Sequence, residues 1–448
     1  MTKKYFGTDG LRGIANQEPI TPDMVLKLGL AAGSIFSSNQ NHKRVVIGKD
    51  TRLSGYMLES ALTSGFTSMG MDVFLLGPMP TPAVAMLTRS MRADLGVMIS
   101  ASHNTYEYNG IKIFGPDGYK LNEIQEKEIE EKLSSNDLIT DVIPKNIGKA
   151  KRIDDAQARY IEYVKGTIDR NLTFEGIKVV IDSANGAGYK VAPLALWELG
   201  ADVISIGDSP NGININNEYG STSLNNLITK VKENKADIGI ALDGDGDRII
   251  VIDERGTIVN GDALLAMIAS EWKSRDKLKN SGVVATIMSN IGLEEYFKEK
   301  NINLLRTDIG DRYVVKYMKK HGYNIGGEQS GHIIIGDYAT TGDGLLAGIQ
   351  VLAIMKKYKK SISQLSNQIN VAPQILKNIN YERSKKIDPT KIEEINNISQ
   401  RMIGDKGRVL VRLSGTEPVI RVMGESRDKG YLSKTIDEII QIIEQKFS

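Results

Sequence analysis

Three aspartates alternate with glycine in Asp243-Gly-Asp245-Gly-Asp247, with Arg248 directly after them, between two apolar runs, Ile238 to Leu242 and Ile249 to Ile252. Glycine lets the backbone curl tightly, so several carboxylate oxygens can converge on one hard cation. Without a cation they repel: two unit charges about 4 Å apart at an effective dielectric near 20 interact by about 4 kcal/mol. The aspartates also occupy the first, third and fifth positions of an EF-hand loop, with Glu254 at the twelfth. That motif needs glycine at its sixth position, where this chain has Arg248, and Ile249 to Ile252 reads as a strand where a helix would soon begin. Few protein oxygens beside an arginine suit magnesium that shares a phosphate group. A solvated acidic turn is the alternative.

Ser102 lies in a second polar loop, Ser100-Ala-Ser-His-Asn104, after the apolar run Gly96 to Ile99. A serine there could cap a helix, and no Gly-x-Ser-x-Gly frame supports a hydrolase triad. Phosphorylated, it would carry about −1.5 to −2 charges at neutral pH, which a magnesium ion on the aspartate loop could hold as a phosphoryl donor. Arg412-Leu-Ser414-Gly415-Thr416-Glu-Pro418, with Arg421 on the next strand, combines guanidinium forks, hydroxyls and backbone N–H groups. It reads as a phosphate clamp or as a plain hairpin turn. Glu328, Ser330 and His332, in Gly326 to His332, offer acceptors and donors suited to sugar hydroxyls. Gly7 to Gly13, with Arg12, and Gly48-Lys-Asp-Thr-Arg52 add cations near the first unit, unless they are surface turns. No Walker A loop or Gly-x-Gly-x-x-Gly fingerprint follows a strand, so nucleotide use is not indicated.

The elements that must position these loops form a repeat. Short Val/Ile runs alternate with helical patterns, which predicts βαβ units and a largely parallel sheet. A unit beginning at Val45-Val-Ile47 continues through a helix near Gly55 to Met69 and a strand near Val73 to Leu76. It recurs from Val179-Val-Ile181 and, more faintly, from Val283-Val-Ala285. In each copy a later strand runs into one of the three polar loops, so the loops are positionally equivalent and could point at one cavity. Domain boundaries are expected near residues 150, 255 and 368, giving 1–150, 151–254, 255–368 and 369–448. The last segment is different. It offers strands at Arg408 to Arg412 and Val419 to Met423, and a helix with Leu432, Ile436, Ile439, Ile440, Ile443 and Phe447 at helical spacing.

Composition narrows the classes further. The 448 residues exceed one core, and 57 Lys plus Arg against 55 Asp plus Glu leave a formal charge of +2. That gives no general attraction to nucleic acid. The chain has no Cys, which excludes thiolate nucleophiles and Cys-ligated zinc and fits a reducing compartment. With no signal-peptide pattern at the start, the expected location is the cytoplasm. The apolar stretch Leu345 to Met355 falls well short of the roughly 20 residues of a membrane span and reads as a buried helix.

Phe6-Gly-Thr-Asp-Gly-Leu-Arg-Gly13, Ser100 to Asn104 with Asn109-Gly-Ile-Lys112, Asp243 to Arg248, Gly326 to His332 and Arg412 to Arg421 together resemble, in order and almost end to end, the α-D-phosphohexomutase superfamily. The resemblance implies an α/β fold of three similar mixed-sheet α/β/α domains plus a smaller α+β C-terminal domain around a central cleft. In chain order these would carry the phosphoserine loop, the metal loop, the sugar loop and the phosphate clamp. Gln329 points to the amino-sugar branch, where relatives acting on mannose or glucose phosphates more often carry Met. The implied reaction interconverts glucosamine 6-phosphate and glucosamine 1-phosphate, on the route to UDP-N-acetylglucosamine and cell wall.

In that reading phosphoserine at Ser102 donates its phosphoryl group, giving a bound glucosamine 1,6-bisphosphate that reorients and returns the other phosphate. Mg2+ is held by Asp243, Asp245, Asp247 and the Ser102 phosphate. Arg12, Lys112 and His332 are the acid–base or charge-stabilising candidates, and Arg248 steadies the reacting phosphate. Glu328 and Ser330 hold the sugar, while Arg412, Ser414, Gly415, Thr416 and Arg421 grip the distal phosphate. Some positions depart from the family pattern: Thr105 stands where Pro commonly follows the Ser-His-Asn motif, Leu413 where Lys is frequent, and Tyr219 where Cys is frequent. The partner is a small phosphosugar, with no nucleic acid or membrane; a homodimer is compatible with these features and not required by them. Alternatives are a phosphomannomutase or phosphoglucomutase, a haloacid-dehalogenase-like phosphatase and a non-catalytic sugar-phosphate sensor.

Overall fold

The computed structural model describes residues 5–7, 9–36, 43–134, 142–381, 388–413 and 419–447. The chain divides into two compact units, Met1–Met288 with Ile302–Asn367, and Ser289–Asn301 with Gln368–Ser448.

The first unit opens with β1 (Leu11–Ile14), α1 (Pro22–Phe36), β2 (Arg44–Lys49), α2 (Ser54–Ser68), β3 (Asp72–Pro78), α3 (Thr81–Ser90), β4 (Leu95–Ile99), β5 (Tyr108–Phe114), α4 (Glu123–Ser134) and β6 (Ala150–Arg152). The six strands lie in the order β1-β5-β4-β2-β3-β6. Strands β2 and β4 are buried along nearly their whole length, which explains their continuous apolar runs: a parallel strand covered on both faces has no solvent side to alternate with. Val45, Ile47, Val97 and Ile99 pack there with Leu28, Leu58, Leu62 and Phe66 of α1 and α2.

Next come α5 (Ala156–Lys165), β7 (Lys178–Asp182), α6 (Val191–Glu198), β8 (Asp202–Ile206), α7 (Asn225–Asn234), β9 (Ile238–Leu242), β10 (Ile249–Asp253) and β11 (Ile258–Val259), with strand order β11-β10-β9-β7-β8. A third sheet follows from α8 (Gly261–Ser274), β12 (Gly282–Thr286), α9 (Ile291–Glu299), β13 (Asn303–Thr307), α10 (Asp311–His321), β14 (Ile325–Gly327), β15 (Ile333–Ile335), α11 (Gly344–Tyr358) and α12 (Ile362–Ser366). Its order is β13-β12-β14-β15. Helix α9 belongs to the second unit. Helix α11 holds the apolar stretch expected to be buried, and Leu345 to Leu352 are all inaccessible or nearly so. Among the described residues no helix is long and apolar enough to cross a membrane.

All three sheets contain the same four-strand plan: β3-β2-β4-β5, β8-β7-β9-β10 and β13-β12-β14-β15, the first three strands parallel and the fourth antiparallel. Each polar loop singled out in the sequence is the link between the third and fourth strands of its sheet. A strand that reverses direction there must turn sharply at the carboxyl end of a parallel neighbour, where sites in such sheets form.

The second unit contains a three-stranded antiparallel sheet, β16 (Gln374–Asn380), β18 (Val419–Ser426) and β17 (Gly407–Leu413) in that spatial order, with α13 (Pro389–Ile403) and α14 (Lys429–Phe447). Leu432, Ile436, Ile439 and Ile443 of α14 are fully buried against Val409, Val411, Ile420 and Val422. Ile440 and Phe447 pack at the margin.

One buried carboxylate ties the second sheet to its own loops. Asp182, at the end of β7, accepts the Ala184 and Gly220 amides, 2.8 Å each. Burial pushes its pKa up to about 7 against those two bonds. A carboxyl that holds its proton more tightly when folded contributes stability that is fully present below the unfolded value near 4 and is lost as pH rises through about 7. Asp182→Asn, which loses an acceptor but cannot ionise, is therefore expected to melt below the parent at pH 5.5, with the gap narrowing by pH 8.5. A gap in thermal melts that stays constant or widens would contradict this assignment.

Candidate functional site

The aspartate loop joins β9 to β10, and two of its glycines are required by geometry. Gly246 has φ 69°, a left-handed value that disfavours a side chain, and a Cβ on Gly244 would lie 2.6 Å from the Ser102 carbonyl oxygen. The loop can thus lie directly against the Ser102 loop. Asp243, Asp245 and Asp247 are all buried, with one ligand atom from each within 4.8 Å of the others. The Ser102 hydroxyl donates to Asp243 Oδ2 at 2.7 Å, although 141 residues separate them. Residue spacing alone could not have paired them.

The triad is electrostatically lopsided. Burial, then Asp247 and Asp245, raises the pKa of Asp243 well above the ordinary carboxylate value. Burial acts the same way on Asp247, but Lys112, His332 and Arg248 outweigh it and hold its carboxyl well below that value. Lys112 Nζ lies 2.7 Å from Asp245 Oδ2 and 3.0 Å from Asp247 Oδ2. Asp245 Oδ1 and Asp247 Oδ1 are buried without a hydrogen-bond donor. Three clustered carboxylates with two such oxygens and one strained anion fit a hard divalent cation.

Around this loop, six side chains close a ring in which basic and acidic groups alternate. Lys112 meets Asp247, Asp247 meets His332 Nδ1 at 3.6 Å, and His332 Nε2 lies 3.6 Å from Asp311. Asp311 then binds Lys120 at 2.6 Å, Lys120 binds Asp9, and Asp9 returns to Lys112 at 3.4 Å. The Gly342 amide donates to His332 Nε2 at 3.0 Å, which assigns the ring proton to Nδ1, facing Asp247. Burial disfavours a second proton on His332, yet Asp247 and Asp311 raise its affinity for one. Lys112 is buried too, but Asp245, Asp247 and Asp9 lift its pKa well above the ordinary lysine value. It is a fixed cation in this arrangement.

Arg12 lies on β1, pairs with Asp9, and keeps a buried Nε without an acceptor. Arg248 fixes the aspartate loop through its own amide, which donates to Asp243 Oδ1 at 3.1 Å. In the third loop Glu328 Oε1 accepts the Gly310 amide at 3.2 Å, Ser330 is exposed and His332 is buried. Gln329 turns aside: its amide donates to Asp262 Oδ2 at 3.3 Å, so it acts on the shape of the loop through α8.

In the second unit Arg412 and Arg421 are direct cross-strand partners on β17 and β18. Burial and Arg421 together lower the pKa of the Arg412 guanidinium. Like charges set opposite each other in a ladder are destabilising and favour an anion. Ser414, Gly415 and Thr416 lie outside the described residues.

Several members of the site carry no signal of their own in the sequence. Asp9 sits in a turn, Lys120 bridges to Phe114 and Asp311 opens α10, with no shared periodicity or motif to join them. Thr81, at the start of α3, donates to Asp245 Oδ2. Arg52, read as a cation for the first unit or a surface turn, is fully buried and turned toward the Ser102 loop.

Family models for phosphoglucomutase/phosphomannomutase match residues 3–140 (alpha/beta/alpha domain I), 158–256 (domain II), 260–371 (domain III) and 376–442 (C-terminal domain). The chain is similar to phosphoglucosamine mutase of Xanthobacter autotrophicus, 55% identical over 445 residues covering 99% of each chain. It is 56% identical over 443 residues to that of Bradyrhizobium sp., covering 99% of this chain and 98% of the relative. Among solved structures, a phosphoglucomutase/phosphomannomutase family protein from Burkholderia thailandensis has the same fold, with TM-score 0.84 and 24% identity over 98% of this chain and 97% of that one.

Proposed function

The chain belongs to the phosphoglucomutase/phosphomannomutase family, on its phosphoglucosamine mutase branch, and from that premise we propose that it interconverts glucosamine 6-phosphate and glucosamine 1-phosphate through a phosphoserine at Ser102. It is an isomerase that works by phosphoryl transfer. The observation that carries the assignment to Ser102 is its buried hydroxyl, 2.7 Å from a member of the acidic triad. In the forward direction the P–O bond to Ser102 breaks as one forms to the free hydroxyl oxygen of glucosamine 6-phosphate. The sugar hydroxyl gives up its proton and the Ser102 oxygen regains one. The resulting glucosamine 1,6-bisphosphate turns over in the site, and its other phosphate returns to Ser102. The product feeds UDP-N-acetylglucosamine and cell-wall synthesis in the cytoplasm.

Asp243, Asp245 and Asp247 would hold Mg2+ together with the Ser102 phosphate. When bound, the ion neutralises charge on the transferring phosphoryl group. The rest of the work is positioning by this chain's own groups. Lys112 and Arg12 are fixed cations beside the reacting loop, and Arg248 steadies the same phosphate. His332, held by Gly342 and Asp247, borders the sugar loop, where Glu328 and Ser330 take the hydroxyls. Arg412 and Arg421, with Ser414, Gly415 and Thr416, take the phosphate that is not reacting. Phosphoryl transfer needs little covalent help from a protein beyond such placement and charge neutralisation.

A substrate comparison tests the branch. Supplied with magnesium and a hexose bisphosphate primer, the enzyme is expected to turn over glucosamine 6-phosphate with a kcat/KM about tenfold or more above that for mannose 6-phosphate. Faster turnover of the mannose phosphate would move the chain to the phosphomannomutase reading.

A further inference from the structure

The loop that carries Ser102 is gripped through its backbone by two side chains that touch no reacting atom. Ser102 has a left-handed backbone, φ 53°, a conformation that costs a non-glycine residue about 1 kcal/mol or more and persists only where the surroundings impose it. Arg52 is fully buried, and each of its N–H donors is used. Nε donates to Asp50 Oδ2 at 2.7 Å. One terminal nitrogen donates to the carbonyls of Ser102 and Asn104, at 3.0 and 2.9 Å. The other donates to those of Thr105 and Tyr108, the latter at 3.0 Å.

From the second sheet's loops, Asn216 Nδ2 donates to the same Ser102 and Asn104 carbonyls, at 2.9 and 2.8 Å. The Ser102 amide is held as well. It donates to Ser100 Oγ at 2.9 Å, and that hydroxyl donates to Asp50 Oδ2 at 2.5 Å. Both backbone polar groups of Ser102 therefore lead to the Asp50–Arg52 pair.

We propose that Arg52 and Asn216 are positioning residues for phosphoryl transfer, which hold Ser102 in its left-handed conformation and aim its oxygen along the line of attack. This rests on the reading of Ser102 as phosphoryl donor. In-line transfer is sensitive to misplacement on the ångström scale. With their carbonyls drawn onto a guanidinium and an amide, Ser102 and Asn104 keep the negative ends of those dipoles occupied, away from the face where a phosphate dianion is carried. The planar five-donor fork is what meets four carbonyls and a carboxylate at once; a lysine ammonium has three donors from a single point.

The test compares Arg52→Lys and Asn216→Gly with the parent enzyme. Glycine tolerates the left-handed backbone of position 216, φ 58°, and removes the amide with its single methylene. Three quantities are measured: kcat and KM with magnesium, the rate at which Ser102 is loaded from a hexose 1,6-bisphosphate by intact mass, and the melting temperature. Arg52→Lys is expected to lower kcat about 100-fold and loading by the same factor, with KM within about threefold; Asn216→Gly is expected to lower both about tenfold. A folded Arg52→Lys variant with parental kcat and loading overturns the proposal, as does a loss that merely follows the folded fraction. If Arg52→Lys does not fold, Asn216→Gly decides on the same terms. A parent enzyme that never loads Ser102 would sink the serine reading itself, whereas loading that is normal in parent and variants alike sinks only this inference.

Discussion

Ser102→Ala is expected to lower kcat by about four orders of magnitude or more, and protein incubated with a hexose bisphosphate should no longer gain the mass of a phosphoryl group. The substitution is mild in every other respect. The Ser102 hydroxyl meets only the Asp243 carboxylate and, at 3.4 Å, His103 Nδ1, while the carbonyl and amide that fix the loop belong to the backbone and remain. A folded variant with an intact metal loop should therefore result. His103, whose Nδ1 lies 3.4 Å from the hydroxyl, carries a nucleophilic nitrogen; burial, then Arg248 and Arg12, lowers its pKa to about 4, so it is neutral at physiological pH. Persistence of the phosphoryl mass in the alanine variant would place the phosphate elsewhere, on His103 or on an aspartate, and would end the serine mechanism.

Asp243→Asn is expected to separate stability from activity. Asp243 is the strained member of the triad, since burial and its two aspartate neighbours raise its pKa well above the ordinary value. Asparagine preserves its bonds in outline. Its carbonyl can still accept the Arg248 amide, now 3.1 Å from Asp243 Oδ1, and its amide can donate to the Ser102 oxygen, now 2.7 Å from Oδ2. Without metal the variant should melt at or above the parent, because one of three crowded charges is gone. Magnesium should raise the parent's melting temperature by binding the folded state and leave the variant's nearly unchanged, while kcat falls about 1000-fold. A variant that keeps the magnesium-induced shift in a calorimetric melt, or that works within tenfold of the parent, would remove Asp243 from the metal set.

Much of this molecule could be read along the chain because the relevant forces are local. The aspartate loop declares itself by carboxylates alternating with glycines between two strands, and α14 by branched residues that return every three or four positions. The threefold repeat is visible because in each copy a helix links one apolar strand to the next, although α2 has 15 residues against 8 in α6 and 9 in α9. Arg412 and Arg421 are direct partners on antiparallel strands, so their juxtaposition follows from register. Gln329 is legible in its motif, but its amide donates to Asp262, a contact that no motif announces.

Local pattern along the chain specifies an inventory: an acidic loop, a serine loop, a glycine-rich loop with Glu328 and His332, and two arginines, each beside an apolar strand. Which charges face one another is set by the packing of the sheets. Ser102 meets Asp243 across 141 residues, Lys112 meets Asp245 across 133, and Lys120 meets Asp311 across 191. Electrostatic partners at such separations carry no periodicity, because a carboxylate can be neutralised by any cation that the packing of sheets brings within a few ångströms. For the same reason the sequence left Arg52 between a cation near the first unit and part of a surface turn, whereas four inward-turned carbonyls surround it.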